Sequence, residues 1–401
     1  MLLDNQIGVV LDAQNKTFKT KSLGLVREKL EELKLVENFA LIITGIRRCG
    51  KSTLLYQLLK QDLSNTLFLN FEDTRLAGFE NDDFTRLLSE IKKREAKILF
   101  FDEIQMLQNW ELFVRQMLDE DYKVVITGSN ATLLSKELGT KLTGRHLSTE
   151  LFPFSYKEFL LFKNLENTAT ALQQYLQDGG FPEYLKTNNG VILNQLLEDI
   201  LYRDIVVRYA IKDVVNLKKL AVYLISNIGK PVSGNNLKEL FGIKSATTIL
   251  DFFSYLENAY ILQFVPKFSY SLKTQIRNPK KVYVIDLGLF SQNSIVFSDE
   301  NGRRLENTVY LHLRQKFKEI YYFQEKKECD FVVIEKGKVV ELLQVCYTLT
   351  AENMEREISG LLAAMDFFNL NQGKIISFNQ TETFNKAGKT ITVLPAYVYM
   401  G

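Results

Sequence analysis

Gly45-Ile46-Arg47-Arg48-Cys49-Gly50-Lys51-Ser52-Thr53 matches the pattern G-x-x-x-x-G-K-[ST] from end to end. Glycines at its two ends let the backbone turn tightly enough for successive N–H groups to face the oxygens of a phosphate. Lys51 then supplies a point charge for the outer phosphates, and the Ser52 hydroxyl is a ligand for Mg²⁺. The flanks agree with this reading. Phe39 to Thr44 is an apolar run of strand character, and Leu54-Leu55-Tyr56-Gln57-Leu58-Leu59 continues as an amphipathic helix whose N-terminus completes an anion site. A chance glycine turn would lack this sequence of strand, loop and helix.

Outward from the loop, three more strand-like runs follow: Leu67 to Phe71, Ile98 to Asp102 and Val124 to Thr127. They alternate with amphipathic stretches, the pattern of an α/β fold with a parallel sheet covered by helices on both faces. Before the first strand, the spacing of apolar residues from Leu25 to Val36 predicts a helix packed beside it.

The run Ile98-Leu99-Phe100-Phe101 ends in Asp102-Glu103, as expected of the strand that faces a phosphate loop across a Mg²⁺ ion. Asp102 is the predicted metal partner of Ser52, and Glu103 the predicted base that polarises an attacking water. The alternative is a helix start after a buried strand, where acids are also favoured. The next strand ends in Thr127-Gly128-Ser129-Asn130, polar residues at the carboxyl end of a parallel strand, where ligands bind in such sheets. Asn130 or Thr127 is the candidate for orienting water or sensing a terminal phosphate; turn and cap chemistry is the competing use. Arg145, in Leu142-Thr143-Gly144-Arg145, is a candidate arginine finger, acting in cis or in trans, or a surface cation in a salt bridge.

Composition narrows the classes. The 401 residues suffice for two or three domains, and 24% charged and 46% hydrophobic residues with a net charge of +2 describe a globular protein without a global field. Nucleic-acid binding would need a local basic patch. The N-terminus has no cationic start with a long apolar core, and no later run reaches the ~18 apolar residues that span a bilayer. A cytoplasmic protein without membrane contact is the expectation. Cys49, Cys329 and Cys346 are odd in number and lack C-x-x-C spacing, and His146 and His312 lie far apart, so neither a disulfide nor a zinc site is expected.

The phosphate loop, Phe101-Asp102-Glu103-Ile104-Gln105, Ile126-Thr127-Gly128-Ser129-Asn130, Leu142-Thr143-Gly144-Arg145 and Pro153-Phe154-Ser155-Tyr156-Lys157-Glu158-Phe159 together resemble the prokaryotic AAA-like ATPases with a C-terminal domain of unknown function. The resemblance spans nearly the whole chain. It implies a P-loop ATPase core using ATP and Mg²⁺, then a helical segment with a winged helix, then an α/β region similar to restriction endonucleases. The expected domains are 1–160, 161–290 and 291–401.

The later sequence fills in that outline. Gly179-Gly180-Phe181-Pro182 predicts a turn between helices. Ile192 to Tyr209 has helical spacing, with Arg203 and Asp204 resembling a family motif or forming a solvated ion pair. Leu217 to Ile228, Leu237 to Leu240 and Thr247 to Tyr260 read as helices, the last two joined by a glycine-containing turn, and Ile261 to Val265 and Lys281 to Ile285 as the strands of a wing. Between those strands lie Lys267, Lys273, Arg277, Lys280 and Lys281, interleaved with Phe268 and Tyr270 and without an acid. Such a hairpin suits DNA phosphates and stacked bases. The helix Thr247 to Tyr260 carries Asp251 and Glu257 but no cation, which favours intramolecular packing instead.

Arg303 to Phe317, then Tyr321 to Phe323, Cys329 to Ile334 and Val339 to Cys346, resemble the PD-(D/E)XK nuclease order of helix and strands. Gln344-Val345-Cys346 stands where acid, any residue and lysine would complete a site. Glu306, Asp330 and Glu341 are the remaining acids, too few for metal-assisted hydrolysis. The leading expectation is an ATPase acting as a switch or motor for its C-terminal modules. The alternatives are an ATP-regulated DNA-binding protein, a protein with a protein partner, and a nucleotide-binding scaffold with little turnover.

Overall fold

The computed structural model describes residues 2–3, 5–20, 22–60, 65–134, 140–295 and 300–401. They form two compact units, Met1–Phe152 and Pro153–Gly401, where the sequence suggested three.

The first unit is built on a five-stranded parallel sheet of β1 (Ala40–Thr44), β2 (Thr66–Asn70), β3 (Ile98–Asp102), β4 (Lys123–Gly128) and β5 (His146–Glu150), in the order β2-β3-β4-β1-β5. Its central strands read as continuous apolar runs because both faces are covered: Ile42, Leu69, Phe101 and Ile126 are buried with side chains from the flanking helices. The helices are α1 (Gln6–Thr20), α2 (Lys51–Leu59), α3 (Asp83–Lys93) and α4 (Trp110–Asp119). Leu87 and Ile91 of α3, one turn apart, and Phe113 and Met117 of α4 supply the buried stripes.

One local expectation fails here, and two elements carry no sequence signal. Leu25 to Val36 is not a helix; only Glu28–Glu32 makes a 3-10 turn. Its lead-in is tied down instead, since the Gln57 amide donates to the carbonyls of Leu23 (2.8 Å) and Leu25 (2.7 Å) and accepts from the Arg27 N–H (3.2 Å). The helix that covers the sheet edge is α1, unrecognised in its polar stretch. Ile7, Val10 and Leu11 enter the core, and Gln14 bonds both backbone groups of Asn70 at the end of β2. The edge strand β5, half polar, also escaped notice.

In the second unit the helices Tyr156–Lys163, Ala169–Asp178, Pro182–Thr187 and Val191–Asp199 come first, with a turn at 179–181 as expected. Val191–Asp199 runs into a π-helix, Ile200–Val207, in which Asp204 is buried, so Arg203 and Asp204 are not a solvated pair. Then come the helix Val214–Ser226, β6 (Pro231–Val232), the helices Gly234–Phe241 and Ala246–Asn258, β7 (Leu262–Pro266), a short helix Leu272–Arg277 and β8 (Lys280–Val284). The sheet order is β6-β8-β7.

After the helices Leu287–Asn293 and Asn301–Lys316, a mixed sheet is formed by β9 (Glu319–Gln324), β10 (Glu328–Glu335), β11 (Lys338–Cys346), β12 (Gln372–Ser377), β13 (Glu382–Lys386) and β14 (Lys389–Pro395). Its order is β13-β14-β12-β11-β10-β9, with the helix Met354–Phe367 between β11 and β12. β9, β10 and β11 are antiparallel neighbours, whereas β11, β12 and β14 run parallel.

The boundary expected at residue 290 is erased by bonds across it. The Phe268 N–H donates to the Tyr322 carbonyl (2.7 Å), the Tyr322 hydroxyl to the Pro279 carbonyl (2.7 Å), and Asn307 exchanges bonds with both backbone groups of Val284. Lys281 is the strongest tie. Its Nζ lies 2.8 Å from Asp330, 2.8 Å from Glu328 and 3.1 Å from Glu306, and its side chain is only 3% exposed. Burial works against the ammonium, but the surrounding carboxylates outweigh it and hold the lysine charged. The assignment of Lys281 to DNA phosphates is therefore wrong, because its charge is consumed internally. Removing one member of a buried ion cluster costs about 3–5 kcal/mol. Lys281→Ala is accordingly expected to lower unfolding free energy by that amount, measured by urea denaturation followed at the tyrosines of the second unit.

Candidate nucleotide site

The site lies at the carboxyl ends of β1, β3 and β4. The loop after β1 turns as the glycines require: Gly45 has φ 150° and Gly50 φ 101°. A Cβ on Gly45 would stand 2.1 Å from the Leu151 carbonyl oxygen, so only glycine fits against β5's exit. The back of the loop is pinned by Arg27, whose buried guanidinium donates to the carbonyls of Cys49 (2.7 Å) and Phe152 (2.8 Å). An isolated arginine in a polar lead offers no signal of that role. Cys49 is a buried free thiol raised by burial, bonded to the Leu151 carbonyl.

Lys51 opens α2 and is buried. Its Nζ donates to the carbonyls of Gly45 (2.9 Å) and Ile46 (3.1 Å) and lies 3.7 Å from a Glu103 oxygen. Asp102 at the end of β3 is completely buried and bonded by the hydroxyls of Thr127 and Ser52 and by the Asn70 amide (3.2 Å). Burial, helped by the neighbouring Glu103 charge, pushes its carboxyl up to about 6 despite those bonds and Lys51. Burial is the dominant cause, and Lys51 offsets it only in part.

Glu103 adopts a left-handed conformation, φ 54° and ψ 42°, which costs a non-glycine residue about 1–3 kcal/mol. Thr127 holds it there. Its hydroxyl accepts from the Glu103 N–H (3.1 Å) while donating to Asp102, so one β4 side chain clips both acids. Burial alone would raise the Glu103 carboxyl. The charge of Lys51, the amide of Gln105 (2.5 Å), Arg47 and Ser129 outweigh it and keep the carboxyl below its ordinary value. Thr127 is thus a clip on the acids, a role the strand-end position alone did not specify.

Asn130 is buried directly after the Ser129 that bonds Gln105. Its Oδ1 accepts from the Thr132 N–H (2.7 Å), but its Nδ2 has no partner, nor has Gln105 Oε1. Buried donors are almost always satisfied in proteins. The unsatisfied amide N–H lies just beyond the carboxyl end of β4.

Arg145 is not brought to this group. Its carbonyl accepts from the Ala40 N–H at the amino end of β1, four parallel residue steps, about 13 Å, from Thr44. Its guanidinium pairs with Asp119 (2.7 Å) and bonds Thr143. It stands at the wrong edge of the sheet to reach a phosphate held by its own loop. Gln57, Asn70, Gln105 and Arg27 are the participants that sequence reasoning did not place. Asn70 alone had a usable signal, as a polar residue ending a parallel strand.

Residues 37–160 match the family described as "AAA domain", and residues 169–299 match a domain of unknown function. Uncharacterized protein MJ1544 of Methanocaldococcus jannaschii is 37% identical over 383 residues, which cover 88% of this chain and 85% of that protein. The chain belongs to the same family, and it carries an AAA domain. An uncharacterized protein of Haemophilus influenzae is similar at 30% identity over 370 residues, covering 86% of this chain and 91% of that one. The RuvB Holliday junction branch migration motor of Thermotoga maritima overlaps at a TM-score of 0.30 and 17% identity, covering 65% of this chain and 88% of that chain, too little for any argument. The AAA class is one of P-loop nucleotide-binding ATPase domains, in accord with the parallel sheet and phosphate loop. Among the described residues no helix is long and apolar enough to cross a membrane.

The glycine requirement is testable. Gly45→Ala forces the loop off the Leu151 carbonyl and is expected to weaken binding of a fluorescent ATP analogue by about tenfold or more, a loss of about 1.4 kcal/mol. Gly302→Ala, where a Cβ meets nothing within 4 Å, is the control and should leave that affinity unchanged.

Proposed function

We propose that this protein binds ATP with Mg²⁺ in its AAA domain and hydrolyses it to ADP and phosphate, as a switch or motor for its C-terminal modules. The supporting observation is the convergence of Lys51, Ser52, Asp102 and Glu103 at the carboxyl ends of β1 and β3. Lys51, now bonded to carbonyls of its own loop, would transfer its donors to the β- and γ-phosphates. Ser52 and Asp102 fit a Mg²⁺ ion. They are hydrogen-bonded oxygen donors at a point where burial disfavours negative charge and Lys51 offsets it only in part. The chemistry that ion supplies is neutralisation of charge on the β- and γ-oxygens. Glu103, kept ionised and aimed by its left-handed backbone, accepts the proton of the attacking water. Asn130 offers its unpartnered Nδ2 to that water or to a γ-oxygen. The loop residues Ile46, Arg47, Arg48, Cys49, Gly50 and Thr53 supply the backbone cradle.

In the second unit we read the helix, β6, helix-turn-helix, β7 and β8 as a winged helix. The succession of helix, three antiparallel strands, helix and strand from Asn301 to Ser377 we read as a degenerate restriction-endonuclease-like fold. Nuclease chemistry is not part of the proposal. The Lys281 ammonium stands between Glu306 and Asp330, Gln344 bonds Glu357 (2.7 Å), and Glu341 is paired with Lys374 (2.9 Å) and Tyr399 (2.6 Å).

Phosphate release from ATP by the full chain tests the central reading. Lys51→Ala is expected to lose ATP binding, because it removes the charge that meets the phosphates. Glu103→Gln is expected to bind ATP but turn over at least about 100-fold more slowly, because the base alone is lost. Equal turnover by Glu103→Gln and wild type would remove Glu103 from its role.

A second reading, DNA binding through the hairpin, is favoured by one observation. Tyr270 (82% exposed), Leu272 and Ile276 project beside the exposed Lys273 and Arg277, and no acid occurs from residue 267 to 281. Lys280 is half-buried on β8, and Lys267 faces Glu325 at 3.8 Å, so Lys273 and Arg277 would carry the phosphate contacts. If they do, the double substitution to alanine should reduce the slope of log affinity against log salt by about two, measured on a labelled duplex or single strand. An unchanged slope would return the hairpin to a solvated surface.

A further inference from the structure

P-loop phosphoryl transfer is accelerated when an arginine meets the charge on the γ-phosphoryl oxygens, and Arg145 lies at the amino ends of the strands, away from the phosphate loop of its own chain. Arg47, inside the phosphate loop, is placed for that task. Its Nη1 pairs with Glu72 Oε1 at 2.8 Å, and its side chain is 17% exposed. Glu72 lies two residues beyond the end of β2, where its N–H donates to Asn70 (2.8 Å). Between β1, which feeds the loop, and β2 lie β4 and β3. The loop backbone after β1 and the paired side chains of Arg47 and Glu72 together therefore span from β1 to β2, on the side of the sheet where β3 and β4 end. Those ends carry Thr127, Asp102 and Glu103. The charge of Arg47 is felt there, being among the causes that hold the Glu103 carboxyl low.

We propose that Arg47 is the arginine finger of this site, supplied in cis by the phosphate loop and parked on Glu72 until the γ-phosphate competes for its guanidinium. The inference rests on the hydrolysis reading above. In the reaction the oxygen of water bonds to the γ-phosphorus and the bond to the β–γ bridging oxygen breaks. The proton passes to Glu103, and ADP and phosphate leave. Arg47 exchanges no atoms. Its planar fork takes two γ-oxygens at once and gains as their charge is redistributed in the transition state, a geometry that a lysine ammonium cannot reproduce. Glu72, on the exposed rim, is a resting partner, and its pair is weak enough to exchange.

The experiment is steady-state hydrolysis by the full chain, with binding of ADP and of the ADP–aluminium fluoride–Mg²⁺ complex, which mimics the transition state. Arg47→Ala is expected to lower kcat on the order of 1,000-fold, to change KM for ATP and the affinity for ADP by no more than about threefold, and to abolish tight binding of the aluminium fluoride complex. Glu72→Gln should hydrolyse no more slowly than wild type, which separates action on phosphate from a structural need for the pair. Should Arg47→Ala fail to fold, Arg47→Lys carries the test: it keeps the charge without the fork and is expected to lose most of kcat. The proposal is overturned if Arg47→Ala keeps kcat within about threefold of wild type, if it raises KM alone, if Glu72→Gln loses activity to the same extent, or if Arg47→Lys is fully active. A wild type that releases no phosphate overturns the hydrolysis reading and this inference with it. A wild type that turns over beside an undiminished Arg47→Ala overturns only the role of Arg47.

Discussion

A single hydroxyl, that of Thr127, ties together the two acids at the carboxyl ends of the strands in the first unit. Donating to Asp102 and accepting from the Glu103 N–H, it fixes one acid in the sheet and the next in a left-handed turn. The conformation of Glu103 would relax if nothing opposed it, and a net hydrogen bond of about 1 kcal/mol is of the size needed to offset part of that strain. Lys51 and Gln105 hold the carboxylate from its other end. Two adjacent acids thereby face different environments: Asp102 is over-buried and under-compensated, whereas Glu103 is surrounded by donors and stays ionised. The two carboxyls are thus shifted in opposite directions by their surroundings.

The second unit contains a buried charge with the opposite history. Lys281 meets three carboxylates within 3.1 Å and has no capacity left for a ligand. Its ammonium joins β8, the helix Asn301–Lys316 and β10 into one body, and it sits among Glu306 and Asp330, the acids that the order of helix and strands would assign to a cation. The first unit leaves Asn130 Nδ2 and Gln105 Oε1 without partners and buries the hydrogen-bonded Asp102 deeply enough to raise its carboxyl. In the second unit the comparable groups are saturated, which suits a support.

Much of this was legible from local pattern. The phosphate loop, the apolar β3 run with its two acids and the polar end of β4 are each contiguous, and contiguous motifs carry their own geometry: glycines for tight turns, continuous apolar runs for doubly covered strands. The helices Gly234–Phe241 and Ala246–Asn258 and the strands β7 and β8 were readable for the same reason. Failures came where polar residues make a helix buried on one side, as in α1, or an edge strand with no buried residue, as in β5, and where an apolar periodicity at Leu25 to Val36 gave way to side-chain bonds from Gln57 at its start. Lys281 misled because a lysine in a basic run looks solvated until its three acidic partners, 25 to 49 residues away, are brought to it.

The amino-acid sequence by itself determined the α/β class of the first unit, the position of its phosphate loop and the identity of its acidic pair, since these reside in residues adjacent along the chain. Only the tertiary structure decided which cations of this chain stand on the side of the phosphate loop. Arg145 and Arg47 look equally eligible as letters, but the parallel register of β5 with β1 carries Arg145 to the amino ends of the strands. Arg47 stays at the carboxyl ends, in the loop that leaves β1, and pairs there with Glu72 beyond β2. Charges act through space, and the distances between them are set by strand order and register, which no local pattern encodes.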